Sequence, residues 1–125
     1  MNVIREVKSD RVGDRYYEVK HPSGLRIFVY PKEQNNSTYA VFGTRYGSVD
    51  TTFKRSDEAE ACTVPAGIAH YLEHKLFESE DGDAFARYAK TGANANAYTS
   101  FDVTCYLFSC TENVYESLEI LLDFV

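Results

Sequence analysis

An α+β fold, an antiparallel sheet packed against helices, is predicted by three features of the chain. Stretches alternating apolar and mixed residues, rich in β-branched and aromatic side chains, fall at 25–30, 38–46 and 98–109. Runs with apolar residues at helical spacing fall at about 64–78, 83–92 and 113–125. Their order, ββ–α–α–β–α, lacks the regular alternation of a parallel sheet. Ten tyrosines and eight phenylalanines with no tryptophan suit strand-rich packing and an aromatic-lined cleft.

Tyr16 to Val19 is expected as a short strand, followed by a turn at His21-Pro22-Ser23-Gly24. Leu25 to Tyr30 is the next strand, closed by Pro31. After the polar turn from Lys32 to Asn36, the run Thr38 to Tyr46 is expected as its antiparallel neighbour. Residues 47–62 form a polar, acidic connection, long enough to suggest a working loop. A helix follows from about Val64 to Glu78, led in by Pro65-Ala66-Gly67. Asp81-Gly82-Asp83 supplies an N-cap for a second helix with Ala84, Phe85, Tyr88 and Ala89 on one face, and Gly92 ends it. Tyr98 to Ser109 is a strand or bent strand pair. Asn113 and Glu116 form a capping box for a last helix striped by Val114, Leu118, Leu121, Leu122 and Val125.

The 125 residues amount to one domain or part of one. A net charge of −6 with no Lys/Arg cluster argues against a nucleic-acid partner. No stretch is apolar for long enough to span a bilayer, and no signal-peptide run opens the chain, so the cytoplasm is the expected location and no membrane partner is expected. Cys62, Cys105 and Cys110 are odd in number and lack CxxC spacing. No disulfide framework is expected, and Cys105 and Cys110 read as small buried hydrophobes.

Two of the three histidines, His70 and His74, stand four apart with Glu73 just before the second. On a helix this spacing puts both imidazoles on one face, one turn apart, where they can hold one zinc ion. At about 100° per residue Glu73 lies roughly 60° to one side of His70. There its carboxylate can move a proton to and from water. The commoner zinc-peptidase box has the glutamate after the first histidine; here the order is inverted. His21, beside Pro22 in a polar turn, reads as a loop residue.

Four stretches, in order, resemble the pitrilysin/insulinase family of inverted-motif zinc metallopeptidases. They are Ser23-Gly24-Leu25-Arg26, Tyr46-Gly47-Ser48, Gly67-Ile-Ala-His-Tyr-Leu-Glu-His74 and Gly92-Ala-Asn-Ala-Asn-Ala-Tyr-Thr-Ser100. The resemblance spans most of residues 20–125, and His74-Lys75-Leu76-Phe77 is similar to bacterial members. It implies the first part of such a peptidase domain, with His70 and His74 as zinc ligands and Glu73 as general base. Asn96, Ala97 and Tyr98 match the edge segment along which an extended peptide or small-protein substrate adds as a strand. Phe77 matches an aromatic wall of the substrate pocket. Core packing is the alternative for Phe77 and Tyr98, and a strand-start turn for Asn96.

The family takes its third zinc ligand, a glutamate, from a later helix, and no residue here matches it. Glu112, Glu116 and Glu119 read as capping and solvated-face residues. Residues 1–125 are therefore expected to be the N-terminal portion of a zinc metalloendopeptidase, inactive alone, with the third ligand and C-terminal half beyond Val125. A non-catalytic scaffold or partner subunit of the same fold is the alternative. A homo- or hetero-oligomer with a family partner is also entertained, as is self-association of the fragment through Leu121, Leu122 and Val125.

Overall fold

A computed structural model of the chain describes residues 3–79 and 82–125. The chain divides into two compact units, Met1–Asn36 and Ser37–Val125. Asp81 of the expected Asp81-Gly82-Asp83 cap lies outside the described residues.

The first unit is an antiparallel three-stranded sheet of β1 (Val3–Ser9), β2 (Asp14–Lys20) and β3 (Arg26–Val29), in the order β1-β2-β3. The strand β1 is an addition to the sequence-based expectation, and β2 begins earlier than expected. The β2–β3 hairpin closes where the Gly24 N–H donates to the His21 carbonyl and the His21 N–H to the Leu25 carbonyl, each at 2.9 Å. Gly24 has φ +91° there, a left-handed conformation that favours glycine. Tyr16 stacks on Tyr30 with centroids 5.0 Å apart, and Glu18 pairs with Arg26 at 2.7 Å. His21 is an exposed turn residue bonded to the Ser23 hydroxyl.

The second unit holds the core. Its main sheet has the order β4-β10-β9, from β4 (Thr38–Thr44), β9 (Asn94–Thr99) and β10 (Thr104–Cys110). Within its own unit each of the two expected neighbours has a different partner: β3 pairs with β2, and β4 with β10. The tight turn at Gly24 delivers β3 to its local neighbour. The strand β10 carries Tyr106 and Phe108 and needs a strand on each side to satisfy its main chain in the interior. The 98–109 stretch is the hairpin β9–β10, and β9 starts four residues earlier than expected.

Among the described residues three helices complete the unit: α1 (Ile68–Leu76), α2 (Ala84–Thr91) and α3 (Val114–Phe124). Within the 47–62 connection, β5 (Thr52–Phe53) pairs with β6 (Cys62–Thr63) and pinches the loop shut. A second short ladder, β7 (Glu78–Ser79) with β8 (Gly82–Asp83), joins α1 to α2. The helix α1 is shorter than expected because Gly67 sits at its N-cap with φ 94° and Glu78 has already entered β7. Asp83 caps α2 as expected, Oδ1 accepting from the Phe85 N–H at 2.9 Å, and Gly92 ends it at φ 77°.

Phe77, Ala84, Tyr88, Ala93, Tyr106, Phe108, Cys110, Ile120 and Leu121 form the core cluster. Phe108 is fully buried, and burial of such a side chain contributes about 2–3 kcal/mol. Two sequence-based expectations fail in α3. Asn113 has φ 54° and makes no side-chain cap; its Nδ2 instead donates to the Thr91 carbonyl at 3.1 Å, tying α3 to α2. The buried face is Ser117, Ile120 and Leu121, while Leu118 and Leu122 face outward, so Leu121 is not an exposed association residue. On α2, Ala84 and Tyr88 are buried, and Phe85 and Ala89 are exposed. Cys105 and Cys110 are buried and free. No helix among the described residues is long and apolar enough to cross a membrane.

Candidate metal centre

His70, Glu73 and His74 all lie on α1, where the spacing of three and four residues gathers them to one side. One candidate ligand atom from each lies within 4.8 Å of the other two. The Nε2 atoms of His70 and His74 are 3.0 Å apart, with ring centroids at 4.7 Å. A tetrahedral ion about 2.0–2.1 Å from two imidazole nitrogens sets them roughly 3.3 Å apart. Two imidazoles and a carboxylate are also the nitrogen and oxygen donors that zinc takes. The donor set fits that ion. No other group of three metal-ligating side chains occurs among the described residues.

The histidines are exposed, whereas Glu73 is only 7% exposed. A buried carboxylate needs a donor, and Glu73 finds one on the sheet: Thr99 Oγ1 donates to its Oε2 at 2.7 Å. Its other oxygen, Oε1, has no protein donor among the described residues. The Tyr106 phenol is pushed above its ordinary value by burial and then by the Glu73 charge.

Thr99 ends β9, which has β10 on one side and no strand on the other among the described residues. The Ser100 N–H donates to the Val103 carbonyl at 2.8 Å at the hairpin end. Hydrogen-bonded pairs alternate along an antiparallel ladder, so Tyr98↔Cys105 and Asn96↔Leu107 carry the ladder bonds. The main-chain groups of Ala95, Ala97 and Thr99 therefore turn to the open edge. Consistent with this, the Ala97 N–H is taken by the Asn96 side chain, with Oδ1 at 2.8 Å.

Side chains alternate by face. Ala95 and Ala97 pack on the core and Thr99 reaches Glu73, so Asn96 and Tyr98 project from the opposite face, Tyr98 being 50% exposed. The structure thus brings His70, Glu73 and His74 together and sets the β9 main chain beside them. It does not bring the Tyr98 side chain to the histidines. Phe77 lies in the core, 6% exposed and stacked on Phe85 at 4.5 Å. Thr99 is the site residue that sequence reasoning passed over, although it stands inside the quoted Asn-Ala-Tyr-Thr stretch.

An inverted His-Glu-His box on a helix, beside the open edge of an antiparallel sheet, defines the class: an α+β chain built on the peptidase pattern. The chain belongs to the insulinase family (peptidase family M16), whose sequence model matches residues 60–125. It is 50% identical over 123 residues to a Bacillus subtilis (strain 168) protein named "Uncharacterized zinc protease YmfH", covering 98% of this chain and 29% of that one. It is 32% identical over 107 residues to the ubiquinol-cytochrome-c reductase complex core protein I of Euglena gracilis mitochondria, covering 82% of this chain and 19% of that one. A solved structure from Alicyclobacillus acidocaldarius, assigned as an M16-like peptidase, superposes with a TM-score of 0.76 at 39% identity, covering 98% of this chain and 26% of that one. The chain spans less than a third of the length of these relatives.

Proposed function

We propose that the chain is the N-terminal part of a zinc-dependent metalloendopeptidase that hydrolyses extended peptides. The observation that carries this reading is the clustering of His70, Glu73 and His74 within 4.8 Å, next to an open strand edge. His70 and His74, whose Nε2 atoms face each other at 3.0 Å, would hold the zinc. When bound, zinc supplies the Lewis acidity that polarises a peptide carbonyl and lowers the pKa of a water. Glu73 takes a proton from the water as its oxygen bonds to the carbonyl carbon. Glu73 then gives that proton to the amine nitrogen as the C–N bond breaks.

The peptide lies along β9. Main-chain groups of Ala95, Ala97 and Thr99 supply the hydrogen bonds, which makes affinity tolerant of sequence. Asn96 covers the Ala97 N–H until peptide replaces it. Tyr98 contributes through its place in the strand, and Phe77 backs the site from the core. By resemblance to the family, the third zinc ligand would be a glutamate from a later helix, outside residues 1–125. The chain alone is therefore a weak zinc binder without hydrolytic activity.

The test is a zinc titration of the full-length protein paired with hydrolysis of an unstructured peptide before and after chelation. The reading expects about one zinc per chain and activity that falls on chelation and returns with zinc. Hydrolysis that survives complete zinc removal contradicts it. In His74→Ala, zinc affinity is expected to drop by more than the roughly 10–100-fold that loss of a mere supporting partner costs.

A further inference from the structure

We propose that Thr99 is the positioning residue for Glu73, and that it ties peptide docking to the orientation of the base. The inference rests on the peptidase reading above and assigns to Thr99 a role that reading does not require.

Three observations carry it. First, Thr99 is the side chain that satisfies the buried Glu73: Oγ1 donates to Oε2 at 2.7 Å across 26 residues of sequence. A glutamate has three side-chain torsions, and this bond holds the carboxylate so that Oε1 is left for water. Second, Thr99 is itself held. Its pair partner Thr104 donates Oγ1 to the Tyr46 carbonyl at 2.7 Å. The turn that follows is pinned where the Ser48 N–H donates to the Ser100 carbonyl at 2.9 Å and the Val49 N–H to the Phe101 carbonyl at 3.0 Å. As a β-branched residue, Thr99 also has restricted χ1 freedom, so its hydroxyl direction is set with its backbone. Third, the Thr99 main chain belongs to the set turned to the open edge. A peptide strand laid there touches the residue whose side chain holds the base.

The test compares Thr99→Val and Thr99→Ser in the full-length protein, with Glu73→Gln as the control. The valine keeps the shape and loses the hydroxyl; the serine keeps the hydroxyl. The proposal expects Thr99→Val to lower kcat about 10–100-fold with KM within about threefold of wild type and zinc content unchanged. Thr99→Ser is expected to stay within about threefold of wild type in both constants. Equal kcat in wild type and a folded Thr99→Val overturns it, as does a Thr99→Ser as impaired as Thr99→Val. If Thr99→Val does not fold, Thr99→Ala and Thr99→Ser decide: loss in alanine with retention in serine supports the proposal, and equal loss overturns it. Full activity in Glu73→Gln would instead remove the underlying peptidase reading, so the two failures are distinct.

Discussion

The Cα of Gly47 lies directly against the main chain of Phe101, so that a methyl group at residue 47 would overlap the Phe101 carbonyl and crowd the Asp102 nitrogen. The contact locks the loop after β4 to the turn after β9, two residues beyond Thr99. The glycine is needed for closeness, since its φ is not positive. Its neighbours must be backbone atoms that cannot move aside.

Gly47→Ala is accordingly expected to destabilise the protein by about 2–3 kcal/mol, the upper range for forced overpacking. A urea melt of the variant checks this. An unchanged midpoint would mean that the loop moves away from Phe101 without cost.

Tyr88 is 1% exposed, and its hydroxyl has no protein partner among the described residues. Burial pushes the phenol up to about 12 from an ordinary 10.0. Below pH 10 both folded and unfolded forms keep the proton and stability is flat. Between pH 10 and 12 the unfolded chain releases the proton while the folded one holds it, so stability falls as pH rises. Tyr88→Phe is expected to flatten that fall and to leave neutral-pH stability unchanged or higher by up to about 1 kcal/mol. Paired melts at pH 8 and pH 11 provide the measurement. An identical alkaline loss in the variant would exclude Tyr88 as its source.

Asp83 is expected to contribute about 1 kcal/mol through its bond to the Phe85 N–H at 2.9 Å. Asp83→Ala removes the bond and Asp83→Asn keeps an acceptor. Thermal melts should rank alanine below asparagine, and equal losses would show that the cap geometry contributes nothing.

Docking along β9 implies a period of two in the substrate. Main-chain bonds to Ala95, Ala97 and Thr99 use every second residue of the peptide. N-methylation of single amides along a peptide substrate should raise KM at alternating positions. A uniform effect at every position would contradict strand addition on this edge.

How much of this was legible beforehand follows the range of each interaction. The helix bearing His70, Glu73 and His74 was legible because its spacing rule is local, and so were the Asp83 cap and the Gly92 stop. The placement of β10 beside the 38–46 strand was not. Strand pairing is set by which surface must be covered, and β10 lies 60 residues or more along the chain from β4. Asn113 failed as a cap although the local pattern was present. A hydrogen bond to the Thr91 carbonyl on another helix won its side chain. The Thr99–Glu73 bond has no local signature at all, since a hydroxyl at the end of a strand is common and its target is 26 residues away. The similarity to peptidases of family M16 reached the same stretch without supplying that reason.

Under the proposed function Glu73 moves the proton in a zinc-dependent cleavage by the full-length protein. The most direct measurement is kcat for a peptide substrate in wild type and Glu73→Gln at equal zinc content. A loss of about 10²–10⁴-fold is expected in the variant, with zinc and peptide still bound. A Glu73→Gln variant that cleaves within about threefold of wild type would contradict it.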